Sequence, residues 1–326
     1  MRTVDLEQLG DLCTPWCLRV AATLRIGAHI EAGAGSLEEL AAAARCDADA
    51  LGRVLRHLVG KGVFEEPSPG RFALNAVARA LEEQRIGLDL DGFGGRMAHA
   101  WGTLLAAVRT GEPAYRDAFG RPFWDDLGAN PAIGDSFDAL MGLAGHGVPD
   151  PEILVDGNWA AVRSVVDVGG GTGALLAEIL RAHPAVRGTV VDLPRTVARA
   201  AETFAAAGVA DRATAIGQSF FDPLPAGADV YVIKNVLADW ADREATAILR
   251  RCAEAARPAG RVVLSGVVAP DGQPSRSADL LMFVLVGGKE RTFAQVGDLA
   301  AAAGLDVHTT GRSPSGRFLV ECRPRR

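Results

Sequence analysis

The residues best suited to chemistry sit where short β-branched runs end. Val165-Val166-Asp167-Val168 is followed at once by Gly169, Gly170, Gly171 and Gly173, and then by an Ala/Leu helical pattern. A buried strand that turns tightly into a helix has this form, and glycine lets a ligand lie directly on the backbone. A second run ends Val190-Val191-Asp192-Leu193, with Asp192 19 residues beyond Gly173. A carboxylate at that spacing can accept both ribose hydroxyls of a nucleoside. A third run ends in Gly217-Gln218-Ser219-Phe220-Phe221-Asp222-Pro223, which offers a polar group and an aromatic face to an adenine.

The glycine loop also satisfies a loose G-x-G-x-x-A pattern, so a dinucleotide has to be weighed. Asp167 argues against it. A carboxylate two residues before the first glycine repels a pyrophosphate but can receive an ammonium, directly or through water. A nucleoside joined to a cationic amino acid fits better, and S-adenosylmethionine (or its product S-adenosylhomocysteine) is such a molecule.

These groups need a parallel sheet to bring them together. From Trp159 onward strand-like runs near 164–168, 187–192, 212–216, 229–233 and 261–268 alternate with helical patterns near 173–183, 195–207, 242–256 and 292–303. That alternation predicts an α/β, Rossmann-like domain over 159–326. Leu305–Thr310 and Arg317–Cys322 flank a Ser-Pro-Ser-Gly turn and read as an added antiparallel hairpin. Residues 1–90 read as mainly helical, with a helix from Thr14-Pro15 to Ile30, a second after Ser36, a third from Asp47 or Asp49, and a hairpin over 63–74. Three helices and a hairpin in that order suggest a winged-helix shape. Residues 91–158 read as helices and a connector, Gly145 to Pro151. Met97, Trp101, Phe137 and Met141 there, with Met282 later, are candidates to line an apolar pocket, although a helical core would use the same residues.

Composition narrows the partners. Net charge is −6 and charged residues are 23% of the chain, which disfavours nucleic acid as a general ligand. Arg53, Arg56, His57 and Lys61 on the third helix could enter a groove, but acidic residues surround them. The five cysteines, Cys13, Cys17, Cys46, Cys252 and Cys322, are odd in number and lack paired-motif spacing, which predicts reduced thiols. The first residues carry no apolar signal core, and Leu280–Val286 is too short to span a bilayer. A cytoplasmic location is the default. The six histidines show no metal-ligand spacing.

The chain resembles the small-molecule O-methyltransferases of the plant caffeate and bacterial antibiotic-pathway type over nearly its full length. The resemblance rests on Cys13-Thr14-Pro15-Trp16, Gly120-Arg121-Pro122-Phe123-Trp124, Asp167 to Gly173, Phe220 to Pro225, Asp239-Trp240, and Gly287 to Thr292. It implies an N-terminal domain that dimerises, so that the chain is a homodimer. It also implies that Gly169 and Gly171 approach the methionine part of the cofactor and that Asp192, with Leu193 beside it, holds the ribose. Ser219 and Phe220 would flank the adenine, and Lys234 would lie along the cofactor.

The departures from the family pattern bear on catalysis. Ala238 stands where members commonly carry a proton-accepting histidine, Gly266 where many carry a glutamate that orients it, and Ser219 where an aspartate is usual. Asp239, Glu290, His99 and His146 are the remaining candidate bases, with Asp239 and Glu290 the leading pair. One expectation is methylation of an aromatic or polyketide-like hydroxyl by proximity and orientation. The alternative is a diverged enzyme that keeps S-adenosylmethionine but catalyses hydroxylation, decarboxylation or cyclisation. A DNA-binding regulator is a distant third.

Overall fold

A computed structural model describes residues 5–141, 149–256, 259–266 and 277–325. The chain divides into two compact units, one built from Met1–His99 with Ala129–Leu140, the other from Ala100–Gly128 with Met141–Arg326.

The first unit is helical with one hairpin. Ser36 and Glu39 form a capping box at the start of the helix Leu37–Ala44, and Asp47 caps Ala48–Gly60 through the Ala50 amide at 2.8 Å. Strands β1 (Phe64–Ser68) and β2 (Arg71–Leu74) pair antiparallel across Gly70, whose φ of 78° suits the turn. Ile26, Leu40, Leu55, Leu58, Phe64 and Phe72 fill the core between them. The helix expected to run unbroken to Ile30 is instead two helices, Cys13–Thr23 and Ile26–Glu31. Arg25 lies between them in the left-handed region, at φ 53°, and turns the chain so that Ile26 is fully buried. Arg53 pairs with Asp49 at 2.6 Å, Arg56 with Glu66 at 3.6 Å and Lys61 with Asp11 at 4.0 Å, so the basic residues of the third helix face acidic neighbours.

The second unit is a seven-stranded sheet in the order β5-β4-β3-β6-β7-β9-β8. The strands are β3 (Ser164–Val168), β4 (Arg187–Asp192), β5 (Ala213–Gly217), β6 (Val230–Lys234), β7 (Arg261–Gly266), β8 (Leu305–Arg312) and β9 (Phe318–Pro324). The first five in that order pair parallel, and the C-terminal hairpin adds antiparallel to β7. β3 and β6 are almost wholly buried because helices cover both faces, which is why they read as continuous apolar runs. One core holds Val166, Val168, Tyr231 and Ile248; another holds Val165, Leu176, Val190 and Phe204. The Asp229 carboxylate accepts from the backbone of Arg163 and Ser164 at 2.8 and 3.0 Å, locking the starts of β3 and β6 together.

Some expectations in this unit need correction or limits. The helix expected over 195–207 is two, Pro194–Val197 and Ala200–Ala206. The strand expected to reach 268 is seen to Gly266, and residues 267–268, like most of the 145–151 connector, lie outside the described residues. Among the described residues no helix is long and apolar enough to cross a membrane.

The left-handed Arg25 yields a stability prediction. A side chain there costs about 1–2 kcal/mol, partly offset by the entropy glycine loses on folding. Arg25→Gly should therefore raise the urea midpoint, by up to about 1 kcal/mol of stability; an unchanged or lowered midpoint would show that the arginine side chain compensates.

Candidate active site

β3 has β4 on one side and β6 on the other, so the carboxyl ends of these three strands form the crevice where parallel sheets bind ligands. The turn after β3 is built on positive φ at Gly169 (71°), Gly171 (63°) and Gly173 (79°). Two of these glycines are also sterically required. A Cβ on Gly169 would lie 2.6 Å from the Val236 side chain, and one on Gly173 would lie 2.7 Å from the Phe204 ring. The result is a bare backbone cradle.

Asp167 sits beneath the cradle, 1% exposed, with neither carboxylate oxygen hydrogen bonded. A Cβ on Gly170 would fall 2.4 Å from one of those oxygens. Burial raises the Asp167 pKa to about 7; the Lys234 charge opposes this and the Asp192 charge adds to it. A buried carboxyl without a hydrogen-bond partner, covered only by glycine, suits an arriving ammonium group.

Asp192 closes the second side. Its carboxylate accepts from Gly171 N–H at 2.8 Å and Leu193 N–H at 2.7 Å, which fixes its orientation at the end of β4. On the third side, the Ser219 hydroxyl accepts from Phe221 N–H at 3.2 Å, and the Ser219 carbonyl from Asp222 N–H at 3.1 Å, folding the loop after β5 tightly. Phe220 and Phe221 both meet the Trp240 ring nearly edge-on, at 5.8 and 5.0 Å. Trp240 in turn stacks on Trp124 at 6.1 Å. At the end of β6, burial pulls the Lys234 ammonium below the usual lysine range, with Arg317 assisting and Asp167 and Asp150 opposing.

The turn after β6, Leu237–Asp239, carries the catalytic candidates. Arg291, only 3% exposed, spans it: its guanidinium donates to the carbonyls of Leu237 at 2.5 Å and Trp240 at 2.7 Å, and to Asp242 at 2.9 Å. Lys289 adds a 2.8 Å bond to Asp242. Gly288 packs so closely that a Cβ would lie within 3 Å of Asp239 backbone atoms. Burial raises the Asp239 pKa to about 7. Glu290 is half-buried on the same loop, its N–H bonded to Asp279 at 2.7 Å.

Ala238 and Gly266 come together at one cavity beside the ends of β6 and β7, with Asn235 and Ser265 also lining it. Gly266 has φ 151°, and a Cβ there would lie 2.7 Å from the Asn235 side-chain oxygen. Asn235 itself is left-handed at φ 57°, and that oxygen is buried without a hydrogen-bond partner.

The structure thus brings Asp167, Gly169, Gly171, Asp192, Leu193, Ser219, Phe220 and Lys234 to the same strand ends. Trp101 and Met282 share the second unit with Asp239, and the helix Ser277–Val286 packs against both the Trp101–Thr103 turn and the Leu237–Asp239 turn. Met141 also belongs to the second unit, whereas Met97 and Phe137 belong to the first, where Phe137 meets Phe93 edge-on at 5.0 Å. His99 is in the first unit, exposed and tilted against Trp16. His146 lies outside the described residues. Sequence reasoning gave no role to Arg291 or Asn235; a buried cation and a left-handed asparagine are tertiary facts, and only the short Lys289-Glu290-Arg291 run hinted at the first.

A parallel sheet with a glycine cradle, a ribose-spaced carboxylate and an aromatic loop defines a nucleoside-cofactor enzyme of the Rossmann-like methyltransferase class, and its cofactor is S-adenosylmethionine. The comparisons place it further. Residues 101–306 match the O-methyltransferase domain family and residues 6–84 the O-methyltransferase dimerisation domain, so the chain belongs to the O-methyltransferase family and is an S-adenosylmethionine-dependent methyltransferase. It is 44% identical over 310 residues to a 2,7-dihydroxy-5-methyl-1-naphthoate 7-O-methyltransferase from Streptomyces carzinostaticus, covering 93% of each chain. It is also 42% identical over 329 residues to the aclacinomycin 10-hydroxylase RdmB of Streptomyces purpurascens, covering 96% of this chain and 86% of that one. The crystal structure of NcsB1, an O-methyltransferase from neocarzinostatin biosynthesis, in complex with S-adenosyl-L-homocysteine and 1,4-dihydroxy-2-naphthoic acid, superposes with a TM-score of 0.92 at 42% identity. The match covers 99% of this chain and 100% of that one.

The raised Asp167 pKa sets a pH dependence. The folded chain holds the proton more tightly than the unfolded one, so the penalty is absent below pH 3.8, grows as the pH rises, and is complete above about 7. Asp167→Asn should therefore raise the melting temperature of the ligand-free protein at pH 8, reflecting a few kcal/mol, and raise it less at pH 5.5. The same variant should bind S-adenosylhomocysteine more weakly, since the ammonium loses its counter-charge. A destabilised variant at pH 8 would mean that the carboxylate is compensated. Asp192→Ala should weaken S-adenosylhomocysteine binding by roughly 10²-fold, the cost of two hydrogen bonds to a charged group; unchanged affinity by calorimetry would remove Asp192 from the ribose site.

Proposed function

We propose that this enzyme methylates a hydroxyl of a bicyclic, hydroxynaphthoate-like aromatic acid, with Asp239 receiving the proton. The observation that carries this reading is the state of Asp239: a carboxyl with a pKa of about 7, on the turn after β6, one residue from the Ala238 that replaces the family histidine. A carboxyl poised there is ionised over the upper half of the physiological range and still basic enough to accept a proton. The acceptor class is supported by the naphthoate named for the 44% identical relative and by the naphthoic acid bound to NcsB1.

When bound, S-adenosylmethionine supplies an electrophilic methyl group on a positively charged sulfur. The residues of this chain do the rest. Asp167 and the Gly169–Gly171 backbone receive the amino-acid end, Asp192 and Leu193 the ribose, Ser219 and Phe220 the adenine, and Lys234 lies along the molecule. Trp101 and Met282 supply apolar surface to the acceptor ring, and Glu290 is a second carboxylate beside the Asp239 turn. Orientation of this kind can supply about 7–11 kcal/mol of the barrier, which suffices for an acidified phenol with modest help from a base. The enzyme acts as a homodimer through residues 6–84, a reading supported by the dimerisation-domain match, and in the cytoplasm, consistent with its free cysteines.

One observation favours a second reading. The relative named a 10-hydroxylase is nearly as similar as the naphthoate methyltransferase, and Ala238 with Gly266 offers no histidine–glutamate pair. In that reading the sulfonium charge orients a substrate and the cofactor is not consumed. Turnover with a hydroxynaphthoate should release one S-adenosylhomocysteine per methylated product; turnover supported equally by S-adenosylhomocysteine would sink the methylation reading. Asp239→Asn should lower kcat by about 10²–10⁴-fold and abolish the rise in kcat/KM through pH 7. If that rise survives in the variant, acceptor ionisation and not Asp239 sets it.

A further inference from the structure

A second cluster of reactive groups lies in the first unit, remote in function from the cofactor cradle. The helix Cys13–Thr23 starts with Cys13 and presents Cys17 one turn later on the same face, with their sulfurs 3.9 Å apart. The helix Ala48–Gly60 packs against it and brings in His57, whose Nε2 lies 2.9 Å from the Thr14 hydroxyl. The two sulfurs and a His57 ring nitrogen all lie within 4.8 Å of one another. Asp11 sits at the helix start, accepting from the Cys13 and Thr14 amides at 2.8 and 3.2 Å, with Lys61 at 4.0 Å from its other oxygen.

The sulfur separation is compatible with two thiolates sharing one metal ion. Two zinc–sulfur bonds of about 2.3 Å at a tetrahedral angle place the sulfurs ~3.8 Å apart, and the separation here is 3.9 Å. The sulfurs need no backbone movement to meet that geometry. A disulfide, by contrast, needs about 2.05 Å between them, so closure would have to distort the first helical turn. His57 comes from another helix, so the triad exists only in the folded unit. Cys17 and His57 are half-buried and Cys13 is exposed, which leaves an entry path.

We propose that Cys13, Cys17 and His57 form a three-ligand site for zinc(II), with a water completing the tetrahedron. The two thiols lose their protons on binding, as soft thiolate ligation requires. Thr14 gives up its hydrogen bond to Nε2 if that nitrogen takes the metal, or orients the ring if Nδ1 does. The site clamps the helix Cys13–Thr23 to the helix Ala48–Gly60 at the start of the dimerisation domain and uses none of the cofactor-site residues.

The test uses the full-length protein stripped of metal and loaded with cobalt(II). One equivalent per chain should give the intense near-ultraviolet thiolate-to-cobalt band, and zinc should displace it. Cys13→Ser, Cys17→Ser and His57→Ala should each weaken zinc binding by at least roughly 100-fold, the upper range for loss of a mere outer-shell partner. S-adenosylhomocysteine affinity, measured in parallel, should stay unchanged and so report an intact fold. Absence of the band, or a band unaffected by Cys13→Ser and Cys17→Ser, overturns the proposal. Should His57→Ala unfold the chain, the two serine variants decide alone.

Discussion

A carboxylate kept out of water and denied hydrogen bonds is the constraint around which the second unit is arranged. Asp167 lies near the end of β3, between β4 and β6, with its oxygens buried beneath the backbone of the following turn. Nothing larger than glycine can stand at 170 without striking it. The neighbouring glycines follow for related reasons: the chain must leave β3 at once and pass over the carboxyl, and Val236 and Phe204 press on it from either side. The cradle is bare because its floor is crowded. The cost of burying Asp167 is borne in the ligand-free protein, which makes it less stable than its sequence could allow.

The second organising contact is Arg291. A guanidinium is suited to hold a turn because its donors are fixed in a plane and can reach several acceptors at once. Here it grips the carbonyls on both ends of the Leu237–Asp239 turn and an aspartate beyond it. The turn that presents Asp239 is therefore rigid without using any side chain of its own. The Trp240 ring, locked between Trp124 and the Phe220–Phe221 loop, ties this turn to the loop after β5. The turn after β6 and the loop after β5 are thus joined by one continuous set of aromatic contacts.

Much of this was legible in the sequence where burial is complete. β3 and β4 begin and end at the residues expected, because a parallel strand covered on both faces must be a short apolar run bounded by polar or glycine residues. The C-terminal hairpin and the place of Asp192 at the end of β4 were equally readable. Helix breaks were not. Arg25 adopts a left-handed conformation that no arginine signals, and the interruption after Val197 has no glycine or proline to mark it. The state of Asp239 was hidden as well, since its residue type is visible but its burial is a tertiary fact. The Cys13–Cys17–His57 cluster escaped for the same reason: its third member arrives from another helix.

The contact between Gly266 and Asn235 has a meaning for the history and engineering of this site. A glutamate at 266 is strained by the backbone there, so a histidine–glutamate pair is not restored by a change at 238 alone. Histidine at 238 alone finds no orienting partner, while a glutamate at 266 meets the Asn235 side chain on a backbone that disfavours any Cβ. Asn235 holds its own left-handed φ, so replacing it moves the strand end as well. The absence of the dyad is thus held in place by the fold itself.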